Sequence, residues 1–350
     1  MFFTENTPFM KTIIWCLLLS LALLSCSEDE SFEPIIDNPE IALEIPADFP
    51  SLNSSVEANL PTQYGVQLGE KLFNDKRFSA DNTISCASCH IQSNAFADNN
   101  AQAIGIEGRV GLRNTPPIQN LAFMNFYNWD GSKLRLEDQP LVPIITHEEM
   151  DSSILEVIDK IESDPEYQDL FEKTFGDENI TPERIYKSIA QYEYTLISAN
   201  SKYDKVMRNE EGVNFTESEA QGYAIFQEKC ISCHSGALFT DQSFRNIGFP
   251  LNPDSNEAGR GRVTGEPEDY MSFRVPSLRN IEYTAPYGSF GQFETLKEVL
   301  DYFDNGVLYA DNLDPVFKDN DNRIPLTEED KTYLIAFLKT LSDVSFVNGN

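Results

Sequence analysis

The chain has 350 residues, enough for two domains, and 41% of them are apolar, as in an ordinary globular protein. Its charge is one-sided: 57 acidic residues against 26 basic residues give a formal net charge of −31. Such a surface repels phosphate backbones and anionic membranes, which argues against nucleic acid as a partner and favours a basic or dipolar protein.

The N-terminus has the features of an export signal. Lys11 precedes an apolar run, 13–24, that is too short to span a bilayer comfortably and is followed by Ser25 and Cys26. This pattern is typical of a bacterial lipoprotein signal in which residues 1–25 are removed and Cys26 is lipidated; a plain signal peptide with an incidental cysteine is the alternative. Residues 26–48 are acidic and proline-containing, and we interpret them as a tether. We therefore expect an envelope protein, periplasmic or at the cell surface, that meets the membrane only through its N-terminal lipid.

Helix signals are frequent in the rest of the chain, and strand-type alternation is scarce. Thr181 followed by Pro182, the capping box of Thr216 and Glu219, and Thr327 each predict the start of a helix. Apolar residues at helical spacing follow two of these starts, at 185, 189, 192 and 196 and at 334, 337, 338 and 341. Long Gly/Asn/Pro-rich loops at 91–120, 246–270 and 303–325 separate the helices. The fold class is therefore mainly α, with a join between two domains near 205–215.

The four cysteines beyond the N-terminal segment form two Cys-x-x-Cys-His motifs, each expected at the end of a helix. They are Cys86, Cys89 and His90, and Cys230, Cys233 and His234. Thiols at this spacing lie on one face of a helical turn and can form thioethers with the two vinyl groups of one haem, while the histidine reaches the iron. A thiol redox pair needs a βαβ context that is absent, and a zinc site leaves the histidines without a matched role. The sequence predicts two covalent haems c, one in each half.

Few residues can complete the coordination of the two irons. His147 is the remaining histidine, so at most one haem has two histidine ligands. A haem with an open face favours peroxide chemistry, which needs a distal acid–base group. The segment 139–150 offers Gln139, Glu148 and Glu149, although paired glutamates are also common in solvated loops.

From about residue 60 to 345 the sequence resembles the bacterial di-haem cytochrome c peroxidase/MauG family. The matching blocks surround both haem motifs and lie at 72–79, 84–90, 113–117, 129–131, 222–226, 229–234, 239–241, 246–248, 273–280 and 284–287. The resemblance implies two cytochrome c-like helical domains with long loops, 49–210 and 211–350, each binding one haem c. It also implies that the first haem reacts with peroxide and the second transfers electrons. Homodimers are usual in the family.

The resemblance assigns roles by position. Glu149 occupies the slot of the distal acid–base glutamate, Gln139 that of the distal glutamine, and Trp129 that of the tryptophan that relays electrons between the haems. Three further positions match the residues that hold an interdomain calcium ion, the last two through backbone carbonyls: Asn114, Thr284 and Pro286. Without the resemblance, a core tryptophan and ordinary turn residues would be the simpler interpretation.

The sequence also departs from the family pattern. Residues 91–120 contain no histidine, whereas classical peroxidases carry one there that must leave before peroxide binds, so we expect the first haem to be constitutively open, as in MauG-like members. The sixth ligand of the second haem is Met in classical peroxidases and Tyr in MauG, but Phe303 stands at that position and cannot bind iron. Tyr302, Met271 or a five-coordinate iron are the alternatives.

These expectations leave three functions open. The first is reduction of hydrogen peroxide to water with electrons from a small c-type cytochrome or other redox protein. The second is a MauG-like oxidase that uses peroxide to modify Tyr or Trp residues of a protein partner. The third is a non-enzymatic electron-transfer lipoprotein in which both irons are saturated.

Overall fold

Helices and long connections form most of the protein in the computed structural model, which describes residues 37–250 and 257–349. In the first half, the α-helices are α1 (Ser54–Ala58), α2 (Gln63–Asn74), α3 (Cys86–Cys89), α4 (Leu141–Ile145), α5 (Ile154–Ile161), α6 (Pro165–Phe175), α7 (Pro182–Tyr194) and α8 (Lys202–Met207). In the second half, they are α9 (Glu217–Lys229), α10 (Gly261–Thr264), α11 (Leu296–Asn305), α12 (Pro315–Lys318), α13 (Glu328–Lys339) and α14 (Val344–Asn348).

Strand structure is confined to short pieces in the described residues. β1 (Phe244–Arg245) pairs antiparallel with β2 (Phe273–Arg274), and Phe244 lies opposite Arg274. Single 3₁₀ turns lie at Lys76–Phe78, Gln92–Asn94, Ile106–Gly108, Leu121–Phe123, Leu136–Asp138, Pro267–Asp269 and Ile281–Tyr283. The mainly α class predicted from the sequence is confirmed.

The predicted helix starts are confirmed, because they depend on local chemistry. The Thr181 side chain accepts a hydrogen bond from the backbone N–H of Arg184, with Pro182 at the first position of α7. Thr216 and Glu219 form the capping box of α9, and Thr327 caps α13. The structure adds α14 after α13.

One helix expectation was wrong for the first half. We expected each haem motif at the end of a helix, and α9 does lead directly into Cys230. The long helix α2 ends instead at Asn74, and the first motif forms the separate one-turn helix α3, which is capped by Ser85 and Ser88. The turn Lys76–Phe78 and the chain after it break the helix between the two elements.

In each half, a helix that precedes the haem motif crosses a later helix at a glycine. Gly69 of α2 lies against the backbone carbonyl of Ser188 in α7, and Gly222 of α9 lies against that of Tyr333 in α13. A Cβ atom at either glycine would overlap the facing carbonyl. An apolar core surrounds each crossing. The core at the first crossing includes Leu68, Phe73 and Ile189, and the core at the second includes Phe226, Leu334 and Phe337.

Contacts between the two halves are both polar and apolar. Arg279 makes a bidentate ion pair with Asp204, with N···O distances of 2.8 and 3.0 Å, and both side chains are buried. Trp129 of the first half packs with Met271, Phe273 and Phe290 in one apolar cluster. These contacts hold the second half against the region around Trp129.

The predicted signal peptide, Cys26 and the start of the predicted tether lie outside the described residues. The later part of the tether contacts the start of α2: Asn38 donates a hydrogen bond to Thr62 at 3.1 Å, and its side-chain oxygen accepts one from the backbone of Tyr64 at 2.9 Å. No helix among residues 37–250 and 257–349 is both long enough and apolar enough to span a membrane.

Candidate functional site

The first haem motif presents a histidine whose proton position is fixed. His90 Nδ1 lies 2.8 Å from the carbonyl oxygen of Phe96. Because a carbonyl can only accept, Nδ1 carries the proton and the Nε2 lone pair is free to bind a metal. Ala95 and Phe96 both have positive φ angles, and this tight turn brings the Phe96 carbonyl back to the imidazole. The arrangement fits an iron-binding histidine.

The thiols of this motif do not resemble a redox-active pair. Burial, and secondarily the charge of Glu193, raises the pKa of Cys86, and burial raises the pKa of Cys89 to about 12. Reactive thiol pairs need a lowered pKa. No group of three or more His, Cys, Asp or Glu side chains in the described parts of the chain could hold a metal ion. Attachment of a haem is the use that remains for both thiols and the histidine.

A cavity of about 790 Å³ opens over this motif. Its size falls in the range of roughly 300–1,000 Å³ typical of cofactor pockets. The structure brings all six residues predicted for the first haem site to its walls: Cys86, Cys89, His90, Trp129, Gln139 and Glu149. Apolar side chains line it as well, including Ile84, Val110, Ile118, Leu121 and Val142. The residues present therefore fit a haem held by its thiols and histidine.

Glu149 is half-buried at the cavity wall and is held through its backbone. Its carbonyl accepts a hydrogen bond from the N–H of Ile106 at 2.9 Å, and Gly105 lies against the backbone of Glu148 and Glu149. Burial, and then the charge of Glu148, raises the pKa of Glu149. A carboxyl with a raised pKa is suited to exchange protons near neutral pH.

Gln139 and Trp129 are also positioned by hydrogen bonds. Gln139 Nε2 donates to the side-chain oxygen of Asn128 at 3.4 Å, just before α4 begins. Trp129 Nε1 donates to the carbonyl of Asn114 at 2.9 Å. Since Trp129 lines the cavity and also packs on Met271, its ring joins the first haem site to the second half of the chain.

His147 lies away from this cavity. Its ring is largely exposed, Nδ1 accepts a hydrogen bond from Arg109 at 3.0 Å, and the same nitrogen lies 3.1 Å from a carboxylate oxygen of Asp151. Among the described residues that line the cavity, His90 is the sole histidine.

The second haem motif repeats the local geometry of the first. His234 Nδ1 lies 3.1 Å from the carbonyl of Phe239, which again has a positive φ angle, so Nδ1 carries the proton here too. Burial raises the pKa of Cys230 to about 12 and also raises that of Cys233. Arg245 donates to the carbonyl of Ser232 at 3.1 Å and so supports the turn of the motif.

Phe303 and the two candidate ligands for the second haem, Tyr302 and Met271, differ in their surroundings. Phe303 packs on Phe317 with ring centroids 5.4 Å apart. The Tyr302 hydroxyl donates a hydrogen bond to the carbonyl of Gly248 and is therefore engaged. Met271 is buried in the cluster around Trp129.

The residues matched to a calcium site lie in two segments that are in contact. The backbone N–H of Asn114 donates to the carbonyl of Ser289 at 2.9 Å, and Asn99 donates to the carbonyl of Ala285 at 3.2 Å. Asn114, Thr284 and Pro286 are all buried. Asn114 also accepts a hydrogen bond from Trp129 at its carbonyl, at 2.9 Å.

The sequence does not single out several charged residues that line the cavity, among them Glu193 and Arg274. Glu193 of α7 is 3% exposed, one of its carboxylate oxygens has no partner, and burial raises its pKa to about 8. Arg274 of β2 also lines the cavity, and burial lowers its pKa to about 10. Helical periodicity does not single out Glu193 between two tyrosines. The block 273–280 contains Arg274 but does not show which cavity it reaches.

A helical turn with two half-buried thiols and an imidazole whose Nε2 can bind a metal, at the wall of a cavity, is the arrangement of a c-type haem site. Comparison with known proteins identifies relatives of the whole chain. The family profile described as di-haem cytochrome c peroxidase matches residues 63–212. MauG of Methylorubrum extorquens, a methylamine utilization protein, is 34% identical over 291 residues, which cover 81% of this chain and 80% of that protein. The cytochrome c551 peroxidase of Nitrosomonas europaea is 34% identical over 282 residues, 79% of each chain.

The chain therefore belongs to the di-haem cytochrome c peroxidase family, and the resemblance stated from the sequence is confirmed. A solved structure agrees: the crystal structure of a MauG-like protein associated with microbial copper homeostasis superposes with a TM-score of 0.78 at 29% identity, covering 88% of this chain and 97% of that one. The family implies two haems c and oxidoreductase chemistry. Its members carry the names of both peroxidases and MauG proteins.

Proposed function

We propose that the protein is a peroxidase that reduces hydrogen peroxide to water with electrons from a small c-type cytochrome or a similar redox carrier. The observation that carries this proposal is the first cavity, which combines the His90 motif with the half-buried Glu149, whose pKa is raised. The overall reaction takes two electrons and two protons per peroxide and yields two water molecules.

Each residue of the cavity has a separate role in this proposal. The haem, when bound, supplies the iron that takes up peroxide and passes electrons to it; Cys86, Cys89 and His90 would hold it. Glu149 accepts a proton from one peroxide oxygen and delivers it to the oxygen that leaves as water. Gln139 orients the bound oxygens through its amide.

The second motif and the contact between the halves supply the electron route in this proposal. Cys230, Cys233 and His234 would hold the haem that receives electrons from the donor, and Trp129 would lie on the route from there to the first cavity. Engagement of Tyr302 with Gly248 supports a sixth position that is open or bound by Met271 rather than by Tyr302. We also propose that the carbonyls of Thr284 and Pro286, with Asn114, hold a calcium ion that steadies this contact.

A MauG-like oxidation of Tyr or Trp residues in a protein partner is the second candidate. Relatives named MauG and the absence of a histidine from the sequence 91–120 favour it. A non-enzymatic electron carrier remains the third candidate, in which both haems are six-coordinate and do not respond to peroxide.

Rapid mixing of the ferric holoprotein with peroxide, with and without a reduced c-type cytochrome, separates the three candidates. A peroxidase shows a fast spectral change and steady turnover of the donor. A MauG-like oxidase shows the spectral change with little donor turnover, and an electron carrier shows neither.

Glu149→Gln tests the acid–base role, and Glu148→Gln is the matched control because Glu148 is exposed. At a pH above the pKa of Glu149, where the charge of Glu148 no longer affects the protonation of Glu149, we expect the first variant to slow the peroxide step by about 10²–10⁴-fold and the second to retain it. Full activity of Glu149→Gln would refute the assignment.

We further propose that a lipid on Cys26 attaches the mature protein to the bacterial envelope, in the periplasm or at the cell surface, and that the protein forms a homodimer. Fractionation of cells that express the full chain tests the first statement, and analytical ultracentrifugation of the holoprotein tests the second.

A further inference from the structure

Arg274 is a half-buried cation that lines the first cavity and has no acidic partner among the described residues. Its guanidinium has one hydrogen bond, from Nε to the carbonyl of Asn128 at 3.4 Å. Its backbone N–H donates to the carbonyl of Trp129 at 2.8 Å, and β1 pairs with its strand, so its position is fixed. The nearby Arg113 differs, because it pairs with Asp130 at 2.8 Å and with Glu257 at 2.7 Å.

The other acids on the cavity wall do not neutralise Arg274. Asp130 is engaged by Arg113, and neither Glu149 nor Glu193 lies within ion-pair distance of Arg274 in the described structure. A buried charge without a partner is strongly unfavourable. In a chain with a formal net charge of −31, a half-buried guanidinium that lines a cavity without a carboxylate partner indicates that an anion belongs in the cavity.

We propose that Arg274 binds a propionate carboxylate of the haem in the first cavity, and thereby anchors and electrostatically tunes that haem from the second half of the chain. This inference rests on the proposed occupancy of the cavity by a haem. A haem attached through its vinyl groups keeps two propionates, and the planar guanidinium fork matches a carboxylate in a bidentate pair.

The same pair would order the distal side of the cavity. Arg274 donates to the backbone carbonyl of Asn128, and the Asn128 side chain accepts a hydrogen bond from Gln139 at 3.4 Å. Fixing Arg274 therefore fixes the residue that holds Gln139. Arg274 acts as a binding and positioning residue in this scheme and takes no part in proton transfer.

A cation beside the haem favours the reduced form, because reduction removes one positive charge from the iron centre. Loss of the cation should lower the midpoint potential of the first haem. It should also raise the pKa of the propionate that loses its partner, so the midpoint potential should vary more steeply with pH.

The test uses the di-haem holoprotein with Arg274→Gln, Arg274→Lys and, as a control, Arg262→Gln. Arg262 lines the same cavity, but 46% of its side chain is exposed, so its removal takes away one positive charge at a solvated position. The readouts are the midpoint potential of the first haem from a spectroscopic redox titration and its propionate bending bands in the resonance Raman spectrum.

We expect Arg274→Gln to lower the midpoint potential and to shift the propionate bands of the first haem alone. Arg274→Lys should keep most of the potential but shift the bands, since an ammonium group makes a different contact, and Arg262→Gln should leave the bands unchanged. Unchanged bands in Arg274→Gln, or an equal shift in Arg262→Gln, would overturn the inference.

The remaining outcomes are also decisive. If Arg274→Gln loses the first haem but keeps the second, the anchoring role is supported. If Arg274→Gln does not fold, Arg274→Lys decides, and wild-type bands in that variant overturn the inference. If the wild-type protein itself carries no haem on Cys86 and Cys89, the proposed function fails, which a haem count on the wild type reveals independently of any Arg274 variant.

Discussion

At the scale of single residues, the candidate acid–base group depends on neighbours that do not reach the cavity centre. Gly105 allows one loop to lie against the backbone of Glu149, and Ile106 donates a hydrogen bond to the Glu149 carbonyl at 2.9 Å. Burial raises the pKa of Glu149, and the negative charge of Glu148, which is exposed to solvent, raises it further. The position of the Glu149 carboxyl and its pKa therefore depend on different neighbours, so each can be changed by a separate substitution.

Gly105→Ala tests the positional contribution. A Cβ atom at residue 105 would overlap the backbone of Glu148 and Glu149, so that segment must move. A displacement of about 1 Å in a catalytic group can cost roughly 10²-fold in rate, and we expect a loss of that order in the peroxide step, measured by rapid mixing.

The control for this variant is Gly111→Ala in the same loop. A Cβ atom at residue 111 would lie 3.3 Å from the carbonyl oxygen of Ala103, which is tight but not an overlap. Wild-type rates in Gly105→Ala would show that the loop does not position Glu149.

Glu148→Gln tests the acidity contribution through pH. Glu149 must be ionised to accept a proton, so the rate of the peroxide step should fall as the pH drops through the pKa of Glu149. Removing the charge of Glu148 lowers that pKa, and the acid limb of the pH–rate profile should move to lower pH. Glu107→Gln, which removes an exposed charge elsewhere in the loop region, should leave the limb in place. An acid limb that does not move in Glu148→Gln would mean that the two carboxyls are electrostatically independent.

At the scale of helices, each half contains a close helix crossing at a glycine that precedes its haem motif. Gly69 and Gly222 let α2 and α9 approach α7 and α13 so closely that backbone meets backbone. Each crossing is flanked by large buried side chains, among them Phe73 in the first half and Phe337 in the second. The crossing sets the position of the helix that carries or precedes the motif, so its geometry bears on where the haem sits.

Gly222→Ala should force α9 away from α13. Overpacking of this kind typically costs about 1–3 kcal/mol, and we expect a lower melting temperature in circular dichroism of the holoprotein. Gln221→Ala is the control because residue 221 is exposed on the same helix. If both variants melt like the wild type, the crossing tolerates a side chain and is not a constraint.

Local signals predicted the elements better than they predicted the site. Thr181, Thr216 and Thr327 start helices as expected, because a cap depends on residues within one turn. The spacing of Cys86, Cys89 and His90 predicted a haem motif, but not that α3 would be a separate turn rather than the end of α2. Helix continuity there depends on the intervening residues 75–85, and the motif spacing carries no information on them.

At the scale of the whole molecule, the first cavity is assembled from distant parts of the sequence. Its walls come from α3, from the segments around Trp129 and Glu149, from α7 and from β2. The family resemblance placed Trp129, Gln139 and Glu149, and all three do line one cavity. It did not reveal Glu193 or Arg274, because their significance depends on burial and on missing partners, which only the folded chain shows.

The excess of acidic residues makes a prediction about the electron donor. Basic residues number 26 against 57 acidic ones, and many of the basic side chains are already engaged in ion pairs such as Arg279 with Asp204 and Arg245 with Asp314. The surface that a redox partner meets is therefore strongly negative. A basic c-type cytochrome should be steered toward it, and an acidic one should be repelled.

Ionic strength distinguishes steering from contact chemistry, because the Debye length falls from about 30 Å at 0.01 M to about 10 Å at 0.1 M salt. We expect the second-order rate of oxidation of a basic cytochrome, measured by stopped flow with excess peroxide, to fall over this range, and that of an acidic cytochrome to rise. The rate of the peroxide step without donor is the control and should not change, since peroxide is neutral. A donor rate independent of salt for both cytochromes would mean that the net charge does not govern the encounter, and that the donor recognises a local patch instead.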